Sequence, residues 1–176
     1  MKNKKLEKIV IALTAVFVIA AILLMFGGNF FSNKGDIRKT DSTVMPTATE
    51  TTNEIKKNVV IEQDFVNTTD TISKVGIVFS RLAYKEGIDL AIELLDGNTV
   101  LAGSTYNVAG IEEQHRTYVE PASKLTGMSG KKLTLRIYPA DKEDTGLVVM
   151  MDGNADSTFR FGSKTIKGTL CFSVTE

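Results

Sequence analysis

The chain has 176 residues, 43% of them hydrophobic, with 21 Lys and Arg set against 21 Asp and Glu for a formal net charge of zero. That length suits one ordinary domain with its own core plus an extension, and the balanced charge argues against nucleic acid or an anionic lipid surface as the main partner, since both demand a basic patch. The single cysteine, Cys171, excludes an intrachain disulfide, so the stability of the fold has to come from packing.

The first element is the charge-free apolar run Ile9 to Phe26, preceded by Lys2, Lys4, Lys5 and Lys8. At about 1.5 Å of rise per residue, such a helix reaches nearly across the roughly 30 Å hydrocarbon core of a bilayer. Residues 9–26 are therefore expected to form a single transmembrane helix after a cytoplasmic tail at 1–8. A cleaved secretory signal is the alternative, but the run ends in Leu23-Leu24-Met25-Phe26-Gly27-Gly28 without an Ala-x-Ala site. A pilin-like processing site is missing too, and a lipoprotein would need a cysteine near this end. The lysine bias favours the amino terminus inside and everything after Gly27 outside the cell. Four lysines and one glutamate precede Gly27, which leaves 17 basic against 20 acidic residues, a net charge of −3, on the outer part.

Residues 27–58 follow as a Thr-rich segment holding Thr40, Thr43, Thr47, Thr49, Thr51, Thr52 and Pro46, with few apolar side chains. Its burial cannot offset its ordering entropy, so it is expected to be a flexible stalk, with O-glycosylation of its threonines a compositional option. Asn67-Thr68-Thr69 matches a glycosylation sequon, a triplet common by chance.

From residue 59 to 176 the apolar pattern changes to period two, the mark of half-buried strands. Val75, Ile77 and Phe79 share one phase, as do Ile88, Leu90, Ile92 and Leu94, then Leu133, Leu135 and Ile137, and finally Leu170, Phe172 and Val174. Lys85-Glu86-Gly87, Asp96-Gly97-Asn98, Ser129-Gly130-Lys131, Asp152-Gly153-Asn154 and Lys167-Gly168 supply turn chemistry between them. Weaker strands fit Val59 to Val66, Thr99 to Val108, Arg116 to Pro121, Leu147 to Met151 and Thr158 to Phe161. About nine short strands without an amphipathic helix predict an all-β, two-sheet antiparallel β-sandwich. Cys171 is expected as a small buried side chain in the last strand.

The runs Gly87-x-Asp89-Leu90 through Leu94-Leu95-Asp96, Thr99-Val100-Leu101, Gly130-Lys131-x-Leu133-x-Leu135-x-Ile137 and Gly168-x-Leu170-x-Phe172-x-Val174 resemble a family of jelly-roll domains. These are extracytoplasmic sandwiches attached to membrane glycosyltransferases and other polysaccharide-assembly proteins of clostridia-like bacteria, similar in outline to galactose-binding and carbohydrate-binding modules. The resemblance spans Val59 to Val174 and rests on turn glycines and core apolars. It implies a jelly-roll fold and a role beside envelope glycans. The chain departs from the pattern in lacking a multi-spanning transferase segment, which leaves a standalone anchored module or part of something longer, and no ligand residue carries over.

Chemistry-bearing motifs are sparse. His115, the only histidine, stands in the polar stretch Glu112-Glu113-Gln114-His115-Arg116 and reads as a loop residue. There is no Gly-x-Ser-x-Gly elbow, phosphate-cradling glycine loop or Cys/His metal cluster, and Asp141, Glu143 and Asp144 read as a water-facing loop rather than an acid/base pair. Asp152-x-Asn154-x-Asp156-x-Thr158 places oxygen donors at alternate positions, as a structural Ca²⁺ loop requires. It lacks the expected glycine and acidic residue, where Ser157 and Ser163 stand, so a hairpin turn is the first reading and Ca²⁺ the second. No other cofactor is expected.

Sugar-binding sandwiches commonly stack a pyranose on an aromatic ring while polar groups pair with its hydroxyls. Here there is no Trp, and the candidates are Tyr106, Tyr118 and Tyr138 with Asn107, Arg116 and Glu120 as polar partners. The plainer reading has each tyrosine finishing the core with its hydroxyl at the rim. The expectation is a membrane-anchored, non-catalytic extracytoplasmic module that recognises a cell-envelope polysaccharide or assists glycan assembly. The alternatives are a scaffold docking a membrane protein partner and, more weakly, a hydrolase with an unrecognised site.

Overall fold

Period-two patterning resolves into strands throughout residues 45–176, the part of the chain that the computed structural model describes. The expected cytoplasmic tail, the helix at 9–26 and the stalk up to residue 44 lie outside the described residues. The strands are β1 (Glu50–Thr51), β2 (Ile61–Val66), β3 (Lys74–Arg81), β4 (Asp89–Asp96), β5 (Thr99–Asn107) and β6 (Arg116–Val119). They continue as β7 (Lys132–Pro139), β8 (Leu147–Asp152), β9 (Thr158–Phe161), β10 (Lys164–Lys167), β11 (Thr169–Leu170) and β12 (Phe172–Thr175). A 3-10 turn, Val108–Gly110, links β5 to β6.

Two six-stranded antiparallel sheets result. One runs β10-β9-β2-β7-β4-β5; the other holds β1, β8, β3 and β12, with β11 paired to β8 and β6 to β3. On β2 and β7 burial alternates residue by residue, as expected for strands with one wet face. The inward side chains of both sheets merge into one core, where the Phe65 ring of β2 meets the Phe172 ring of β12 at 4.9 Å between centroids. The fold is a β-sandwich. Within the β4–β5 hairpin, the shift in pairing after Leu94 marks a β-bulge on the long edge strand β5, a device that turns an edge away from foreign strands.

Three features differ from the sequence expectation. Twelve strands form instead of about nine, because β1, β10 and β11 are too short or too polar to display a period. The packed domain does not begin at residue 59. Residues 49–57, expected as stalk, run along β8: the amides of Thr49, Thr52 and Ile55 donate to the carbonyls of Met151, Val149 and Leu147, and Ile55 is fully buried. The threonines that signal a solvated linker are also good strand residues, and a lone Ile gives no pattern. Finally, the last strand is buried on both faces. β3 and β8 pair directly at Phe79 and Val149 but then diverge, and residues 169–175 fill the fork. Cys171 sits at its apex, its amide donating to Met150 and its carbonyl accepting from Val78. That burial, and secondarily the Asp152 charge, pushes its thiol up to about 11, which makes it an inert packing group.

Candidate functional site

A cleft of about 440 Å³ opens along one side of the sandwich, and a single stretch of chain, residues 104–120, lines it. β5 is the edge of one sheet and β6 the edge of the other, so the chain crosses between the sheets here and leaves a gap beside the crossing. Tyr106 and Ser104 pair with Leu90 and Ile92, both fully buried, and therefore share the inward phase of β5. The Tyr106 hydroxyl donates to the Tyr118 backbone carbonyl and latches the two edges together. Arg116, Thr117, Tyr118 and Glu120 form the opposite wall, and Gly110, Ile111, Glu112 and His115 close the end.

The loop at that end is built from below by Arg81, the last residue of β3. Its Nη2 donates to the carbonyls of Val108 at 3.2 Å and Ile111 at 2.5 Å, and its Nε lies 3.8 Å from a Glu113 carboxylate oxygen. Asn107 caps the 3-10 turn, its Oδ1 accepting from the Ala109 amide at 3.1 Å. On the outer face of the sheet, the Tyr118 ring lies against Gly76, where an added Cβ would come within 2.9 Å of the ring, and Lys74 Nζ stands 4.3 Å from the ring centroid. Both contacts hold the ring down on the sheet, and the lysine makes a cation–π pair.

Four of the sequence-selected residues, Tyr106, Arg116, Tyr118 and Glu120, thus meet at one cleft. Asn107 lies just outside as a cap. Tyr138 does not line it: it stands on the outer face of the sheet containing β7, where its hydroxyl donates to Glu93 Oε1 at 2.9 Å beside the Arg136–Glu93 ion pair. Partial burial, then the hydrogen bond and charge of Glu93, raise its phenol above the ordinary 10.0. That face carries further pairs, Arg160–Glu62 and Lys132–Asp64, so it presents matched charges and no flat apolar patch.

The side chains of Ser104, Arg116, Thr117 and Glu120 make no hydrogen bond or ion pair with another described residue. His115 is exposed, with Nδ1 3.0 Å from the Glu113 carbonyl and 3.9 Å from a Glu112 oxygen. Elsewhere the polar candidates serve the fold. Asp152 Oδ1 accepts from the Asn154 amide at 3.0 Å and from Thr49 Oγ1 at 3.5 Å, the bonding of a turn, and Asp156 lies in the same loop. Among the described residues, no three His, Cys, Asp or Glu side chains gather as metal ligands. Asp141 accepts from the Asp89 amide, and Asp144 from the Lys57 amide, a bond that holds the Asp144 carboxyl below its ordinary value. Asn67 of the sequon is fully buried, its Nδ2 donating to Thr69 and Met128, so a glycan there would have to displace two loop-closing bonds.

Two residues of this region escaped the sequence reading. Arg81 falls on the inward phase of β3, where a charge is not expected, and that phase was its only signal. Tyr84 stands in the β3–β4 loop, exposed and close to Arg81, with nothing in its neighbours to mark it. Comparison with models of known protein families finds no match, and comparison with the curated proteins finds no similar sequence.

Proposed function

We propose that this chain is a membrane-anchored, non-catalytic module of the cell envelope, a jelly-roll sandwich held outside the membrane that recognises an envelope glycan in the β5/β6 cleft. The observation that carries the reading is that the residues lining one concave place include Ser104, Arg116, Thr117 and Glu120, whose side chains have no hydrogen-bond or ion-pair partner among the described residues. Such groups hold water until a ligand with matching hydroxyls replaces it, and Tyr106 and Ile111 add apolar wall for a ring face. Arg116 and the nearby Lys74 offset Glu112 and Glu120, a balance that suits a neutral polyhydroxyl ligand better than a polyanion. The Ser104 and Thr117 hydroxyls, unpartnered among the described residues, are available to pair with ligand hydroxyls.

The anchor reading is supported by the apolar run at 9–26 and its lysine flank. Thr49 bonds to Met151 and Gly153 at one end of β8, whereas Leu82 bonds to Gly146 at the other, beside the loops that close the cleft. Thr49 thus enters the sandwich at the end of β8 opposite the loop that follows β3. The test is a glycan array probed with the full chain in nonionic detergent. Arg116→Ala and Glu120→Gln are expected to abolish the signal seen with the unaltered chain while leaving the melting temperature in place. Absence of any glycan signal from the unaltered chain sinks the reading.

A further inference from the structure

The chain has four tyrosines, and three of them are largely covered. Tyr106 latches β5 to β6, Tyr118 lies between Gly76 and Lys74, and Tyr138 is bonded to Glu93. Tyr84 is 64% exposed and its hydroxyl has no partner among the described residues, while Leu82 beside it is 65% exposed. The loop that presents them is nevertheless held in place. The amides of Leu82 and Ala83 donate to the Gly146 carbonyl at 2.8 and 3.3 Å. Gly146 itself has φ +70°, and a Cβ there would lie 2.5 Å from the Ala83 carbonyl oxygen, so only glycine admits this close approach.

The Arg81 guanidinium carbon stands 5.3 Å from the centroid of the Tyr84 ring. The same guanidinium holds the carbonyls of Val108 and Ile111 at the end of the cleft, and its Nη1 is buried without a hydrogen-bond partner. The electron-rich ring face is thus a second negative surface for this cation, and one guanidinium fixes both the Tyr84 ring and the cleft loop. A ring oriented in advance and still open to solvent loses little entropy when it stacks.

We infer that Tyr84 is a stacking subsite for a pyranose ring, continuous with the cleft across Arg81, and that the ligand is an oligosaccharide running from the β5/β6 cleft over residues 110–112 to the 82–84 loop. This rests on the glycan reading of the cleft. A protein partner is disfavoured because the exposed large apolar side chains among the described residues are only Val60, Leu82, Tyr84 and Val100, too sparse for the apolar centre of a protein interface.

The experiment measures binding of the full chain in nonionic detergent to length series of envelope hexose and N-acetylhexosamine oligosaccharides, from the monosaccharide upward. Affinity is expected to rise with length. Tyr84→Ala should weaken the longer members by at least about tenfold, with monosaccharide binding and melting temperature unchanged, and Tyr84→Phe should retain the affinity because the ring carries the contact. If Arg116→Ala loses binding but Tyr84→Ala matches the unaltered chain at every length, the subsite is refuted and the cleft stands. Length-independent affinity refutes it likewise, and a chain that binds none of the series removes cleft and subsite together.

Discussion

Replacing Ile55 by Ala tests whether residues 49–57 belong to the folded domain or to the stalk. Ile55 is fully buried, its amide donates to Leu147 at 2.9 Å, and its carbonyl accepts the Thr145 amide at 3.0 Å and the Thr145 hydroxyl at 2.9 Å. The substitution keeps these backbone bonds and removes three carbons, worth about 2.4 kcal/mol at about 0.8 per buried methylene. The cavity left under β8 raises the cost toward about 3 kcal/mol, within the usual range for large-to-Ala core changes. Against a typical domain stability of about 5–15 kcal/mol, that is a large fraction, equivalent to a fall of about 10 °C in Tm. Urea unfolding followed by far-ultraviolet circular dichroism measures it, with an unchanged m-value expected because the surface exposed on unfolding is nearly the same. Truncation to Val59 should cost more still, since it also removes the Thr52–Val149 bonds and uncovers the edge of β8. A loss below about 0.5 kcal/mol for Ile55→Ala would refute the reasoning, because only exposed positions behave that way.

The remaining expectations concern titration, reactivity, the Tyr84 loop and topology. Asp144 has a lowered carboxyl pKa in the folded state, chiefly from the Lys57 amide bond, so its contribution is complete above the ordinary value of 3.8 and is lost as pH falls through the lowered one; Asp144→Asn should flatten that acid limb of stability against pH. Tyr138 has the opposite sign: its raised phenol favours the fold below 10.0 and ceases to do so as pH rises through the native value, and Glu93→Gln should bring its absorbance titration part of the way down, since desolvation remains. The Cys171 thiol, buried and pushed up to about 11, should react with a thiol reagent at neutral pH only as fast as the protein unfolds. Gly146→Ala should destabilise by about 1–3 kcal/mol and raise hydrogen exchange at Leu82 and Ala83, because the new Cβ meets the Ala83 carbonyl. Protease added to intact protoplasts should release the domain by cutting before Thr49, as the amides of Thr49, Thr52 and Ile55 are bonded to β8; a protected domain would reverse the orientation.

What the sequence makes legible here follows from strand length and from which side chain meets which. β3, β4 and β7 are each eight residues long, enough for a two-residue period to repeat several times, so Val75, Leu90 and Leu135 announce their inward faces. β1 and β11 hold two residues each and show no period at all, which is why the strap along β8 reads as linker. The cleft is a more particular case. Its lining is contiguous in the chain, residues 104–120, and the aromatic and polar side chains there, Tyr106, Arg116, Tyr118 and Glu120, stand out in the sequence. What the sequence cannot express is that β5 and β6 belong to different sheets, so that Tyr106 turns inward and gives its hydroxyl to the Tyr118 carbonyl. Of the two tyrosines most visible as platforms, Tyr106 is thereby committed to closing the sandwich, and the Tyr118 ring lies on the outer face against Gly76 and Lys74. The ring left open, Tyr84, owes its orientation to an arginine three residues earlier on the inward phase of β3 and to a glycine beyond β7 in the chain. Residue type marks where aromatic surface exists; only the long-range contacts decide which of it the fold consumes and which it leaves for a partner.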